Sequence, residues 1–206
     1  MTVWQVNWYS IFAYALGVSF VLSAVLTHVV RKMAIRWKVL DHPGERKMQS
    51  EPVPLLGGVA IALTFYIVII GNMLLLLSAK SLNVEWLQAN VLSFLGTGQD
   101  AVWKLAGVFF GSLVIVIVGV VDDLYALRPE KKLIGQIAAA LVLVLCGIRF
   151  DFLNDVIGEH PVISGAVTVV WIIMMTNALN FLDNMDGLCA GVSAIAALAF
   201  FACVLQ

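Results

Sequence analysis

A pair of aspartates, Asp122 and Asp123, stands directly after the apolar run GSLVIVIVGVV. Two adjacent carboxylates at the edge of a hydrocarbon layer repel each other, so a cation or a proton must neutralise part of their charge. Such a pair can mark a catalytic or metal-binding centre. By itself it is more typical of solvated residues that end a membrane helix.

A second polar group follows the apolar run WIIMMT. The segment NALNFLDNMDGL places five amide and carboxylate side chains within ten residues, namely Asn177, Asn180, Asp183, Asn184 and Asp186. On a helix continued through this segment, the three asparagines share a face and the two aspartates are neighbours at i,i+3. Such groups at the end of a membrane helix cost several kcal/mol to desolvate without partners. A binding site is therefore favoured over an ordinary polar loop.

Together the two groups offer four carboxylates and no nearby cluster of histidine or cysteine. Hard oxygen ligands of this kind suit Mg²⁺ or Mn²⁺. Proteins usually hold Mg²⁺ with one or two carboxylates plus the phosphates of a substrate. The sequence therefore indicates a divalent-metal centre that handles a phosphate-bearing substrate.

Basic side chains in an earlier loop complement these acids. Arg46 and Lys47 precede the segment PVPLLGG, whose prolines hold the chain extended before it re-enters the membrane. Arginine and lysine beside a phosphate site can bind diphosphate oxygens. The two cations are also explained by membrane topology alone, and both explanations stay open on the sequence.

The composition defines the elements that must position these residues. The 206 residues are 62% hydrophobic and 12% charged, with a mean hydropathy of +0.99, whereas a soluble domain is nearer half apolar and a quarter charged. The net charge of −1 gives no basic surface for nucleic acid. The three cysteines lie within apolar runs and form neither a disulfide framework nor a metal-ligand spacing. An integral membrane protein is predicted, and a disordered, disulfide-stapled or soluble α/β chain is excluded.

Six apolar runs are long enough, or nearly so, to cross roughly 30 Å of hydrocarbon as helices of about 20 residues. They contain no Asp, Glu, Lys or Arg and cover about 11–30, 55–79, 105–121, 133–148, 162–182 and 188–205. The prediction is an all-α, polytopic helical bundle of about six transmembrane helices, forming a single domain over residues 1–206.

The basic residues predict the orientation of this bundle. With the N-terminus outside, the inner loops hold nine basic residues and the outer loops hold three: Arg31, Lys32, Arg36, Lys38, Arg46, Lys47, Arg128, Lys131 and Lys132 inside, and Lys80, Lys104 and Arg149 outside. The basic loop and both acidic groups then face the cytoplasm. The sequence therefore predicts a multi-pass protein of the plasma (inner) membrane with its site on the cytoplasmic side.

Three inner segments together resemble one enzyme family. RKMQSEPVPLLGG, GVVDDLYALRPEKKLIGQ and NALNFLDNMDGL occur in the order and spacing of the polyprenyl-phosphate N-acetylhexosamine-1-phosphate transferases. The motif PVPLLGG resembles that of the N-acetylglucosamine branch more than that of the muramoyl-pentapeptide branch. The resemblance covers the chain from about residue 40 onward. It implies transfer of N-acetylhexosamine 1-phosphate, most naturally GlcNAc-1-phosphate, from a UDP-sugar to undecaprenyl phosphate or a similar polyprenyl phosphate, with release of UMP, as the first membrane step of cell-envelope glycan synthesis.

The resemblance also implies roles for particular residues. Asp122 and Asp123 match the paired aspartates at the reaction centre, and Asp183 matches an aspartate associated with Mg²⁺, which Asp122 would help to hold. The substrate-binding positions implied by the motifs, together with the basic loop, are Arg46, Lys47, Asn177, Asn180 and Asp186. The resemblance does not decide which aspartate of the pair acts on the acceptor.

Two departures from the family pattern qualify these expectations. Gln49 stands where the N-acetylglucosamine branch often has a histidine, which puts a substrate contact there in doubt. The family also has more membrane spans than the six counted here. The chain is therefore expected to be the N-terminal portion of a longer enzyme and to be inactive, or nearly so, on its own.

Two other classes of function compete with the transferase. An ion- or proton-coupled transporter would also place acids in membrane helices, although transporter sites favour the midplane and these acids lie at helix ends. A non-catalytic membrane scaffold could retain the motifs. The expected partners of the transferase are the UDP-N-acetylhexosamine, the polyprenyl phosphate and membrane lipid, without nucleic acid, and whether it forms a homodimer is left open.

Overall fold

The computed structural model describes residues 8–43, 51–81, 99–150, 160–183, 185 and 187–204. Within these ranges the chain forms six α-helices and one small two-stranded sheet: α1 Trp8–Trp37, β1 Leu40–Asp41, β2 Val53–Pro54, α2 Gly57–Ser81, α3 Gln99–Tyr125, α4 Pro129–Leu145, α5 Pro161–Leu182 and α6 Leu188–Val204. The prediction of an all-α polytopic membrane protein is confirmed.

Four of these helices are long and apolar enough to cross a membrane, judged by length and composition over the described residues. Their apolar segments are Phe12–Trp37, Gly57–Leu75, Val102–Tyr125 and Pro161–Leu182. Helix α6 is equally apolar but shorter, and α4 has 17 residues with a charged first turn. The predicted fourth run began at residue 133, whereas α4 begins four residues earlier because Pro129 occupies its first turn, where a missing N–H costs nothing.

The helices pack mainly against their sequence neighbours. Helix α3 has its most extensive contact with α4, α1 packs on α2, and α5 also packs on α4. Large apolar side chains on the described helices are mostly exposed, as expected where lipid is the solvent. The buried cluster that joins α1 to α2 consists of Val30, Ala34, Leu56 and Ala60.

Small residues allow α3 and α4 to approach closely. A Cβ placed on Gly135 of α4 would lie 2.4 Å from Cγ2 of Val118, and one placed on Gly107 of α3 would lie 2.5 Å from Cβ of Cys146. Contacts this short require a backbone shift, because valine is restricted at χ1 within a helix. The structure therefore agrees with the general use of glycine for close packing of membrane helices.

The turn between α1 and α2, the end of α3, the start of α4 and the end of α5 are linked by contacts at one end of the bundle. The turn between α1 and α2 contacts the C-terminal end of α3, since the N–H of Leu56 donates to Asp123. The first turn of α4 contacts the same end through Lys132 and Asp122. The last turns of α5 contact α4 through the hydrogen bonds between Gln136 and Asn177. We call this end of the bundle the polar end.

The sheet at the polar end was not predicted from the sequence. Leu40 pairs with Pro54 and Asp41 pairs with Val53 in antiparallel register, and the N–H of Leu55 donates to the carbonyl of Val39 at 3.1 Å. This bridge closes the loop between α1 and α2 at its base. It fixes the point at which the PVPLLGG segment enters α2.

Candidate functional site

A pocket of about 740 Å³ lies at the polar end and is lined in part by β1 of the sheet. Its walls come from β1 and the residue after it, the turn into α2, the end of α3, the turn after α3 and the first turn of α4. The lining residues are Leu40, Asp41, His42, Leu55, Asp122, Asp123, Leu124, Tyr125, Ala126, Leu127 and Lys132. Three carboxylates, one imidazole and one ammonium group therefore surround a single space. We call it the acidic pocket.

Asp123 is anchored by the backbone of the turn before α2. The N–H of Leu56 donates to Oδ2 of Asp123 at 2.9 Å. Among the described residues, Oδ1 of Asp123 has no hydrogen-bond partner. One oxygen is thus fixed by the backbone, and no described residue occupies the other, which can accept a hydrogen bond or bind a cation.

Leu56 is held in an unusual backbone conformation by this arrangement. Its φ is +71°, in the left-handed region that leucine rarely adopts, and its side chain is buried beside Ala34 and Ala60. Such a conformation costs about 1–3 kcal/mol and persists only where surrounding contacts over-determine it. The bond to Asp123, the apolar cluster and the strand pairing supply those contacts. The PVPLLGG segment therefore has a local role that the sequence analysis missed, because it orients Asp123.

Asp122 is neutralised by a lysine rather than left unpaired. Nζ of Lys132 lies 2.7 Å from Oδ2 of Asp122, and the N–H of Leu127 donates to Oδ1 at 3.0 Å. The two charged side chains are about one third and one quarter exposed, so water screens the pair only in part. These partners use two of the four lone-pair positions of the carboxylate. Asp122 is thereby fixed in orientation but can still bind a further cation.

The turn from α3 to α4 creates this pair. Ala126 has a φ of +47°, and its N–H bonds back to the carbonyl of Asp122 at 2.8 Å. Arg128 is extended immediately before Pro129, the conformation favoured for a residue that precedes proline. The chain therefore reverses within a few residues, and the first turn of α4 faces the aspartates that end α3.

The asparagine-rich end of α5 approaches the first half of α4. Asn177 and Gln136 exchange two hydrogen bonds through their side-chain amides. Helix α5 ends at Leu182, with Asp183 as its exposed C-terminal cap, and Asn184 lies outside the described ranges. Asn180 is exposed on the last turn.

The structure brings together some of the predicted site residues. Asp122 and Asp123 line the acidic pocket, whereas Asp183 is not among the described residues that line it. Arg46, Lys47 and Asp186 lie outside the described ranges. Three residues at the polar end were not predicted as site residues: Asp41, whose signal in the sequence was its place at the start of the loop, and Lys132 and Gln136 on α4.

The donor set of the pocket fits a divalent ion that is completed by a substrate. No group of three or more His, Cys, Asp or Glu side chains is arranged as a closed metal site in the described part of the chain. Mg²⁺ does not need such a cage, because one or two carboxylates and phosphate oxygens satisfy it. Asp122 and Asp123 supply carboxylate oxygens at the wall of a space large enough for a diphosphate.

Comparison with known proteins defines the class. The sequence profile described as Glycosyl transferase family 4 matches residues 105–206, the half of the chain that carries the aspartate pair, Lys132 and the end of α5. The chain belongs to this family.

Individual relatives agree with this assignment. The chain is 28% identical over 182 residues to a probable undecaprenyl-phosphate N-acetylglucosaminyl 1-phosphate transferase of Bacillus subtilis, covering 86% of this chain and 44% of that protein. It is 33% identical over 187 residues to the decaprenyl-phosphate N-acetylglucosaminephosphotransferase of Mycolicibacterium smegmatis, covering 86% of this chain and 42% of that protein. A phospho-N-acetylmuramoyl-pentapeptide-transferase of Pelotomaculum thermopropionicum is 28% identical over 205 residues, with coverage of 91% and 56%.

The chain therefore spans less than half the length of the first two relatives. No solved structure matches it.

Proposed function

We propose that the protein of which this chain is a part transfers N-acetylhexosamine 1-phosphate from a UDP-sugar to a polyprenyl phosphate and releases UMP. N-acetylglucosamine is the proposed sugar, because the names of the relatives from Bacillus subtilis and Mycolicibacterium smegmatis carry it. The observation that carries the proposal is the acidic pocket at the helix ends, where one aspartate is paired with a lysine and a second has an oxygen that no described residue binds.

The reaction exchanges one diphosphate bond for another. A phosphate oxygen of the lipid attacks the sugar-linked phosphorus, and the bond from that phosphorus to the bridging oxygen breaks, so that the bridging oxygen leaves with UMP. Transfers of this kind depend on charge neutralisation and in-line positioning more than on a strong base. A site at the end of the helices suits the reaction, because the polyprenyl chain can stay in the bilayer while its phosphate reaches the pocket.

Three residues of the pocket and five other residues named in the sequence analysis have proposed parts in this reaction. Asp123, through Oδ1, orients the acceptor phosphate and takes up its proton when the phosphate is protonated. Lys132 balances the charge of Asp122, so that two anionic substrates can approach the aspartate pair. Asp183 and Asp122 would hold a Mg²⁺ or Mn²⁺ ion, which supplies charge stabilisation on the diphosphate oxygens when bound. Arg46, Lys47, Asn180 and Asp186 are proposed to bind the UDP-sugar.

The proposed location is the plasma membrane, with the polar end facing the cytoplasm and the N-terminus outside. The distribution of nine inner and three outer basic residues supports this orientation. It places the acidic pocket on the side where nucleotide sugars are found.

A transfer assay tests the proposal. Membranes that carry the full-length gene product are expected to release UMP from UDP-N-acetylglucosamine only when undecaprenyl phosphate is added, and chelation of divalent ions is expected to abolish the release. Membranes from cells with the empty vector provide the background, and UDP-N-acetylgalactosamine tests the choice of sugar. Release of UMP no greater than background would refute the proposed activity. Release that does not depend on the lipid would refute the proposed acceptor.

A further inference from the structure

Helix α4 carries two polar contacts on one face. Lys132 and Gln136 are four residues apart, so their side chains lie one above the other along the helix. Lys132 contacts Asp122 on α3, and Gln136 contacts Asn177 on α5. The same helix is also the element that packs against both α3 and α5. Helix α4 therefore connects the two helix ends that carry the predicted site residues.

The contact with α5 is reciprocal. Nε2 of Gln136 donates to Oδ1 of Asn177 at 3.3 Å, and Nδ2 of Asn177 donates to Oε1 of Gln136 at 2.8 Å. Nδ2 of Asn177 also donates to the carbonyl of Ile173 at 2.8 Å. Both amide hydrogens of Asn177 are thus used within the protein. A substrate could accept a hydrogen bond from Asn177 only if one of these bonds were broken.

The burial of Gln136 makes this pair specific. Gln136 is 8% exposed and is one of the few buried polar side chains in the described ranges, where apolar residues dominate the helices. A buried amide left without its partner is costly, which favours the single register of α4 and α5 in which the two amides meet.

We propose that Gln136 is a positioning residue of the transferase. Through Asn177, Gln136 fixes the position of the last turns of α5 and of Asp183, which follows them. The Asp122 carboxylate is held by Lys132 on the same face of α4. Gln136 therefore fixes Asp183 relative to Asp122. Asp183 follows Asn177 by six residues, about 9 Å along a helix axis, so a change in the register of Asn177 is carried directly to it. This inference rests on the proposed function, since it assigns Asn177 to alignment of the site rather than to contact with the substrate.

An exchange of the two amides tests the inference. Gln136→Met and Asn177→Leu each remove the reciprocal bonds at nearly constant volume. The double exchange, Gln136→Asn with Asn177→Gln, moves one methylene from α4 to α5 and allows the pair to form again. Thr176→Val is the matched control, because within the described ranges the hydroxyl of Thr176 bonds to the carbonyl of Ile172 on its own helix and to no other residue. Gln136→Glu, which keeps the acceptor for Asn177, is included in case the larger changes prevent folding.

The readout is the kcat and KM of UMP release by the full-length gene product, with folded protein quantified by gel filtration. Each single substitution is expected to lower kcat about tenfold to a hundredfold, because misplacement of reacting groups acts on kcat, with KM for the UDP-sugar changed less than about threefold. The exchange is expected to return kcat to within about fivefold of the wild type, and Thr176→Val to leave it within about twofold. Gln136→Glu is expected to fall between the wild type and Gln136→Met.

Three results would overturn the positioning role: wild-type kcat in folded Gln136→Met, wild-type kcat in folded Gln136→Glu when Gln136→Met does not fold, or an exchange variant that folds but is no more active than the single variants. A wild-type protein that releases no UMP would instead refute the proposed function and the positioning role with it. The two failures are therefore distinguished by the wild-type control.

Discussion

Replacement of Asp123 by asparagine is expected to lower the kcat of UMP release by about a hundredfold to a thousandfold. Asparagine is nearly isosteric and keeps an oxygen that can accept the 2.9 Å hydrogen bond from the N–H of Leu56. The fold at the polar end should therefore survive. What is lost is the negative charge and the basicity of Oδ1, the oxygen that has no partner among the described residues. The effect should appear in kcat much more than in KM for the UDP-sugar.

Glu130→Gln is the matched control for this substitution. Glu130 is an exposed carboxylate in the first turn of α4 and does not line the acidic pocket. The Glu130→Gln variant should retain activity within about twofold of the wild type, since surface carboxylates away from a site contribute little to activity. Folded Asp123→Asn protein with more than a tenth of wild-type kcat would contradict the proposed role of Asp123.

Replacement of Lys132 by methionine is expected to lower kcat about tenfold to a hundredfold. Methionine retains most of the apolar stem of lysine but leaves Asp122 without its counter-charge 2.7 Å away. Two uncompensated aspartates would then repel the anionic diphosphate and the lipid phosphate, so KM for both substrates should rise as well. The measurement is the kinetics of UMP release at two ionic strengths. High salt should reduce the difference from the wild type, because the pair is partly exposed to water.

The preceding lysine provides an internal control. Lys131 is exposed, carries the same charge and is adjacent in the chain, but it does not line the acidic pocket. Lys131→Met is expected to remain within about twofold of wild-type activity. Equal losses from the two substitutions would show that general charge, rather than the ion pair with Asp122, is responsible.

The helices were largely predictable from the sequence because lipid imposes a simple rule. Apolar runs of about 20 residues must satisfy their backbone hydrogen bonds internally, so they become helices whatever their neighbours are. The predicted runs correspond to the six helices of the described structure. The helix ends differ where local residues determine them, as at Pro129, which begins α4. Apolarity alone could not show that α4 begins among charged residues.

The partners of the site residues were less predictable, because most of them are backbone groups or single side chains on other helices. The type and position of Asp122 and Asp123 marked them as candidates. Nothing in the local pattern indicated that the N–H of Leu56, 67 residues away, would bind Asp123. Similarly, Gln136 is one polar residue in a helix, and its significance depends on Asn177, 41 residues further on.

The small sheet illustrates the same limit. Each strand has two residues, too few to produce an alternating pattern. Asp41 lines the acidic pocket and pairs with Val53 across this sheet. A contact made through such a short bridge depends on tertiary geometry that no local sequence signal carries.

The proposed reaction requires acids from separate helix ends to hold one divalent ion, and Mn²⁺ binding tests this requirement most directly. The free Mn²⁺ remaining over the purified full-length gene product can be measured by electron paramagnetic resonance in the presence of UDP-N-acetylglucosamine. The wild type and Glu130→Gln are expected to bind one Mn²⁺ per chain, whereas Asp122→Asn and Asp183→Asn should each bind it at least about tenfold more weakly. Wild-type affinity in both aspartate variants would contradict this requirement.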